Sequence, residues 1–171
     1  MHMTNNLLSA YEATLESSPT YMRFRGMPAC ATLGANESMM LYSCFSAIDV
    51  AAGELFYEAG GVSDHTVRLI MDGRVSVAAP TDDLYIELQA GDTFGLFSFL
   101  DEERVHSATL RAVSDVTLLT LNREYFNVIT LEDPAMGNLL LRFMFRLLSQ
   151  MSLKLDTEYA AMHRYVTARR M

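Results

Sequence analysis

Between Ala47 and Asn122 the chain never runs far without a turn signal, and this spacing restricts its fold more than any other feature. A β-rich run at 54–58 ends at Gly60-Gly61, and another at 67–71 ends at Asp72-Gly73. Asp-Gly suits the positive-φ positions of a two-residue hairpin, and the run at 74–78 resumes the pattern as its return strand. A run at 84–88 ends near Gly91-Asp92, and Ser114-Asp115 separates runs at 107–113 and 116–121. About seven short strands punctuated in this way predict a mainly β unit, a sandwich, jelly roll or barrel. One stretch breaks the pattern. Phe94, Leu96, Phe97, Phe99 and Leu100 surround only Gly95 and Ser98, too apolar for an outer loop. A short helix near 95–100, pressed into the barrel, is expected there.

Helical signals flank this unit. Leu7, Leu8, Tyr11 and Leu15 lie at helical spacing, with Asn5 or Asn6 as caps. The stretch holding Pro19, Gly26, Pro28 and Gly34 reads as loop, and 37–45 as a second short helix. The expected division is an N-terminal helical segment over 1–45, the β unit over 46–132 and a long helix over 133–168. Asp133 supplies that helix with an N-cap and Pro134 with a first-turn proline. Its apolar residues form two stripes. Leu140, Met144, Leu147 and Met151 make one that stops after three turns. Leu141, Phe145, Leu148, Ser152, Leu155, Tyr159, Met162 and Val166 make the other, which alternates steps of four and three along the whole helix. A 3.5-residue repeat is the mark of a helix–helix seam, so a homodimer through this helix is expected. The alternative is that both stripes pack on the N-terminal helices.

Charge and composition exclude several functions. At 171 residues the chain has room for about one domain. Thirteen basic against 21 acidic side chains leave a formal charge of −8, which opposes direct binding to nucleic acid or an anionic membrane. After the long helix only residues 167–171 remain, so no helix-turn-helix reader of DNA is expected. Cys30 and Cys44 are too few for a disulfide framework or an iron–sulfur cluster, and read as buried thiols. No signal peptide precedes them, which points to the cytoplasm. His65, His106 and His163 lack metal-site spacing, and no nucleophile elbow or P-loop is present, so no enzyme and no metal cofactor is expected.

The segments, taken in order, resemble a known family. Residues 52–60, Ala-Gly-Glu-Leu-Phe-Tyr-Glu-Ala-Gly, are similar to the opening motif of cyclic-nucleotide-binding domains, and 68–77 to their second hairpin. Gly91-Asp92-Thr93-Phe94-Gly95, Ser107-Ala108-Thr109-Leu110-Arg111-Ala112 and 118–126 complete the family order. The resemblance covers about residues 45–155. It implies an eight-stranded, catabolite-activator-like β-roll flanked by helices, with a C-terminal helix that often dimerises. It also implies a ligand cassette at Phe94, Gly95, Leu96, Phe97, Ser98, His106, Ser107 and Ala108. In members that bind cyclic AMP or GMP, a Glu in this cassette accepts the ribose hydroxyl and an Arg grips the cyclic phosphate. This chain has Leu96 at the Glu position and His106 at the Arg position.

Hydrogen bonds to charged groups contribute about 1.5–3 kcal/mol each, so losing a two-bond arginine–phosphate fork and a carboxylate–ribose bond removes about 4–9 kcal/mol. A micromolar site has only about 8 kcal/mol in all, and tight cyclic-nucleotide binding is therefore not expected. His106 replaces the arginine only when charged, which would strengthen anion binding as pH falls through about 6.5. For Leu96, Phe97, Phe99 and Leu100 two outcomes stay open: a cradle collapsed into core, or a surviving pocket with an apolar floor. Correspondingly, two functions remain. One is a regulatory module that accepts a small ligand, cyclic nucleotide or otherwise, and moves its long helix. The other is an inert structural or interaction module that dimerises or docks a protein effector.

Overall fold

The computed structural model describes residues 13–80, 85–101 and 103–168, with side chains to residue 160 apart from Tyr85, Glu158 and Tyr159. Leu7, Leu8 and Tyr11 lie outside this set, and residues 13–16 are helical, with Leu15 half-buried. Helix α1 (Pro19–Arg25) occupies what the sequence suggested was loop. Pro19 starts this helix instead of breaking it, because a proline at the first helical position forfeits no hydrogen bond. The Ser18 hydroxyl accepts from the Tyr21 N–H at 3.4 Å, and Tyr21 and Phe24 are buried. A 3₁₀ turn (Pro28–Cys30) and helix α2 (Ala35–Ser43) follow. Glu37 caps α2 by accepting from the Gly34 N–H at 3.0 Å.

Eight strands are present among the described residues: β1 (Ser46–Val50), β2 (Leu55–Tyr57), β3 (Thr66–Asp72), β4 (Arg74–Ala78), β5 (Tyr85–Gln89), β6 (Thr93–Phe94), β7 (Thr109–Ala112) and β8 (Val116–Asn122). They form two four-stranded antiparallel sheets, ordered β1-β8-β3-β6 and β2-β7-β4-β5, facing each other as a β-roll. Two of these strands give weak signals in the sequence. β6 is two residues long, and β1 is largely exposed with Asp49 in its run.

Two cores share one pair of strands. Ile70 and Leu118 point into the roll, where they meet Val75, Phe94, Leu110 and Ala112. On the other face Val67, Leu69 and Met71 of β3 join Leu119 and Leu121 of β8 under the helices. Both strands are thus covered on both sides, which explains why 67–71 is almost continuously apolar. Period-two alternation assigns each side chain to a core. Above the outer face, Phe24, Phe45 and Phe143 form an aromatic cluster with centroids 5.7–5.9 Å apart. Cys30 and Cys44 are free and buried beside it, and burial pushes their thiols up to about 12 and 11.

Helix α3 (Leu96–Leu100) interrupts the roll after β6. Helix α4 (Arg123–Glu132), which the sequence reading left inside the β unit, starts where the Asn122 side chain accepts from the Tyr125 N–H at 2.7 Å. Helix α5 (Pro134–Ala168) is capped by Asp133, which accepts from the Ala135 and Met136 N–H groups. Leu140, Met144 and Leu147 are buried in the helical core. On the second stripe Leu141, Phe145 and Leu155 are 42%, 68% and 58% exposed, Ser152 is exposed, and Leu148 is half-buried. The N-terminal helices therefore cover one stripe and leave the other open; the Tyr159 and Met162 side chains lie outside the described set.

Gly95 fixes the junction of roll and α3. Its φ is +77°, and a Cβ there would sit 2.2 Å from the Thr66 carbonyl oxygen. Gly91 shares the left-handed conformation at φ +94° but faces open space. Urea denaturation should therefore show Gly91→Ala costing about 1–2 kcal/mol for the backbone alone. Gly95→Ala should cost about 2–5 kcal/mol, because the strained backbone and the clash add. Equal losses at the two sites would show that the close approach to Thr66 is immaterial.

Candidate ligand-binding site

Phe94, Gly95, Leu96, Phe97, Ser98, His106, Ser107 and Ala108 all line one cavity of about 250 Å³. The segment around α3 has not collapsed onto the roll. Leu96, Ser98 and Phe99 are buried, while Phe97, at the cavity's edge, and Leu100 are exposed. The facing sheet contributes Tyr57, Val77, Ile86, Leu88 and Leu110, and α5 contributes Met151. Met151 ends the first stripe of α5, so the helix leaves the core at the cavity. Three residues further on, Lys154 pairs with Asp92 at 3.0 Å and ties α5 to the turn before β6.

α3 is held by its carbonyls. His65, at φ +49°, places Nδ1 3.1 Å from the Ser98 oxygen, and Arg123 donates to the Phe99 oxygen. The Ser98 hydroxyl donates to the Gly95 oxygen at 3.1 Å, within its own turn. These bonds satisfy groups that a five-residue helix leaves without internal partners.

His106 occupies the arginine position of the family cassette, but it stacks face to face on Tyr57, with centroids 3.6 Å apart and planes 5° from parallel. Its backbone is clamped on both sides, donating to the Gly61 oxygen at 3.1 Å and accepting from the Gly60 N–H at 2.7 Å. Burial is the main cause holding its pKa below the ordinary imidazole value; Asp64 opposes the shift, while Arg68 and His65 add to it. Tyr57 is likewise pushed up to about 12, chiefly by burial. A neutral ring at pH 7 offers no charge to an anion.

Cationic charge lies in two places that the sequence reading did not single out. Arg68 points from β3 toward the Phe94 ring, 5.8 Å from its centroid, and is only 11% exposed. It forms a salt bridge with Asp64 and donates to the Thr66 oxygen, so its charge is already matched. Burial pushes the Asp64 carboxyl up, but the hydrogen bond and charge of Arg68 outweigh this and leave it below the usual range. A lone arginine at an inward-facing position of an apolar strand was the available signal. Arg104 lies at the cavity rim, with its guanidinium carbon 5.4 Å from the Phe97 ring centroid. Among the described residues no carboxylate pairs with it. Its place two residues before the cassette arginine position was the signal there.

The family profile described as "Cyclic nucleotide-binding domain" matches residues 47–133, just over half of the chain. The chain belongs to this family. Among solved structures it resembles a cyclic nucleotide-binding domain from Methylobacillus flagellatus KT at 18% identity and a TM-score of 0.68, covering 90% of this chain and 85% of that one. It is also similar to the catabolite activator protein of Thermus thermophilus, at 23% identity and a TM-score of 0.54 over 83% of this chain and 63% of the other. A third is the regulatory subunit of a cAMP-independent protein kinase A from Trypanosoma brucei, at 22% identity and a TM-score of 0.61 over 84% and 48%. These likenesses establish the β-roll fold. No curated protein matches the chain significantly. No helix among the described residues is long and apolar enough to cross a membrane.

The lowered pKa of His106 makes stability pH-dependent with a definite sign. In the unfolded chain the ring takes up a proton near pH 6.5, while the folded chain resists protonation to lower pH. Its contribution is complete above about pH 6.5 and declines as pH falls toward the folded pKa. Denaturation at pH 7.5, 6 and 5 should show the wild type losing more stability than His106→Gln over that interval. Parallel losses would show that burial does not depress the ring. Any charge-dependent anion binding by His106 then begins below pH 6.5, not at it.

Proposed function

We propose that the chain is a non-enzymatic regulatory domain whose cavity takes a small ligand but does not grip cyclic AMP or GMP tightly. One observation carries this reading: neither gripping position offers a charge. Leu96 is fully buried and shared with the helical core, and the His106 ring is neutral and stacked on Tyr57. Arg68 does not compensate, because Asp64 holds it. Departure from cyclic-nucleotide control is compatible with this fold, since the Trypanosoma brucei protein is described as cAMP-independent. No cofactor is needed, and the setting we envisage is cytoplasmic, with no nucleic acid bound directly. Titrating the protein with cyclic AMP and cyclic GMP by calorimetry at neutral pH should give no submicromolar binding. Submicromolar capture of either would make this an ordinary second-messenger receptor with an atypical site.

The output element is α5, acting as half of a homodimer. Its exposed stripe keeps a 3.5-residue repeat with Leu141, Phe145 and Leu155 uncovered, and a second copy of the same stripe is its natural complement. The same helix contributes Met151 to the cavity, so a ligand that contacts Met151 bears on the seam. A protein effector could dock on the dimer formed in this way. Phe145→Glu with Leu155→Glu should convert a dimer into a folded monomer by analytical ultracentrifugation, with little change in the monomer's circular dichroism. Leu148 is the poorer choice, because it packs partly on the helical core. A double variant of unchanged mass would remove the seam. A monomeric wild type would also remove it and leave the inert-module reading without its dimer.

A further inference from the structure

We infer that the ligand is a small apolar molecule bearing a single carboxylate, with its acid group on Arg104 and its carbon body in the cavity. This rests on the reading above, that the cavity is a ligand site which has lost its grip on cyclic nucleotides.

The walls are mostly carbon. Leu88 and Leu110 line the facing sheet, Leu96 the α3 side, and Met151 the side closed by α5. The polar groups nearby are largely committed. Ser98 donates to its own helix, Arg68 is paired with Asp64, and the His106 ring is stacked and uncharged at neutral pH. Such a lining penalises a body with many hydroxyl or amide groups, because each would be buried without a partner. A cavity of about 250 Å³ suits a compact hydrocarbon body or a single ring system.

The mouth supplies the remaining chemistry. Ile86, Phe97 and Val105 around it are 58%, 44% and 55% exposed, an apolar rim that water covers poorly. Arg104 stands in this rim with its guanidinium over Phe97 and no carboxylate partner among the described residues. An apolar surface with one cation at its edge is complementary to an apolar body with one anion at its end. The planar guanidinium fork matches one carboxylate in a two-point contact. Exposed Asp101 and Glu103 nearby, and the formal charge of −8, select against ligands of higher negative charge.

The test compares acids with their neutral amides on the full chain: octanoate with octanamide, and 4-phenylbutyrate with 4-phenylbutanamide, titrated at pH 7.5 by calorimetry. For at least one pair the acid should bind about 1.5-fold to fivefold more tightly than the amide, the range for a solvent-exposed ion pair. Arg104→Ala should erase that difference while leaving the amide's affinity alone, and Arg104→Lys should retain part of it. Ala108→Leu, which adds bulk to the cavity wall, should weaken acid and amide together without lowering the melting temperature. Equal binding of acid and amide, or an acid preference that survives Arg104→Ala, overturns the carboxylate assignment. So does the absence of binding by all four compounds. A cyclic AMP titration in the same series separates the failures: submicromolar binding there defeats the parent reading, whereas a weak result there with no acid preference defeats only this one.

Discussion

Strands β3 and β8 hold the molecule together because each is buried on both faces. The same backbone ladder, with Leu69 opposite Leu119 and Ile70 opposite Leu118, carries the roll interior on one side and the helical layer on the other. Neither core can be repacked without loading the other, since close-packed interiors transmit small displacements instead of absorbing them. The cavity sits where this shared support ends. Gly95, the residue that launches α3, lies against the Thr66 carbonyl at the start of β3. The position of α3, and with it the cavity wall, is therefore set by the strand that also underlies α1 and α5.

With Leu96 and His106 at the two positions the family resemblance assigns to gripping, the cavity stays open. Leu96 was absorbed by the helical core, which fixes α3 more firmly than a solvent-facing carboxylate could. His106 found a flat partner in Tyr57, and its backbone is pinned by Gly60 and Gly61. What remains is the geometry of a cradle with carbon where charge would be. His65 and Arg123 satisfy carbonyls at the end of α3 from within the protein.

Much of this was legible in the sequence, and the gaps have physical causes. Runs at 67–71, 74–78 and 116–121 declared themselves because two-sided or alternating burial forces a β pattern. The long helix did so because Asp133-Pro134 is a local signal. α1 reads as loop in the sequence because Pro19 is ambiguous: it ends one helix or begins another, and burial of Tyr21 and Phe24 decides between them. β6 is too short for any periodicity, and it exists only because β3 offers an edge. At the site, the eight cassette residues could be named from motif order. Tyr57 and Met151 could not, since each reaches the cavity from a separate segment whose approach depends on the closed roll; Arg104 carried only its closeness to His106 as a signal. Survival of the cavity was also unreadable, because the same phenylalanines serve as filling or as wall according to which side of a five-residue helix they occupy.

That division of roles is clearest along α5. Its first three turns are committed to the helical core through Leu140, Met144 and Leu147, and these fix its base. At Met151 the helix passes from core to cavity, and at Lys154 it is tied to the roll by a single exposed ion pair, a contact of small strength. Beyond that point Leu155, the last stripe residue whose side chain is described, is 58% exposed. Under the proposed function, a ligand in the cavity would meet the helix at Met151, the residue where its restraint changes.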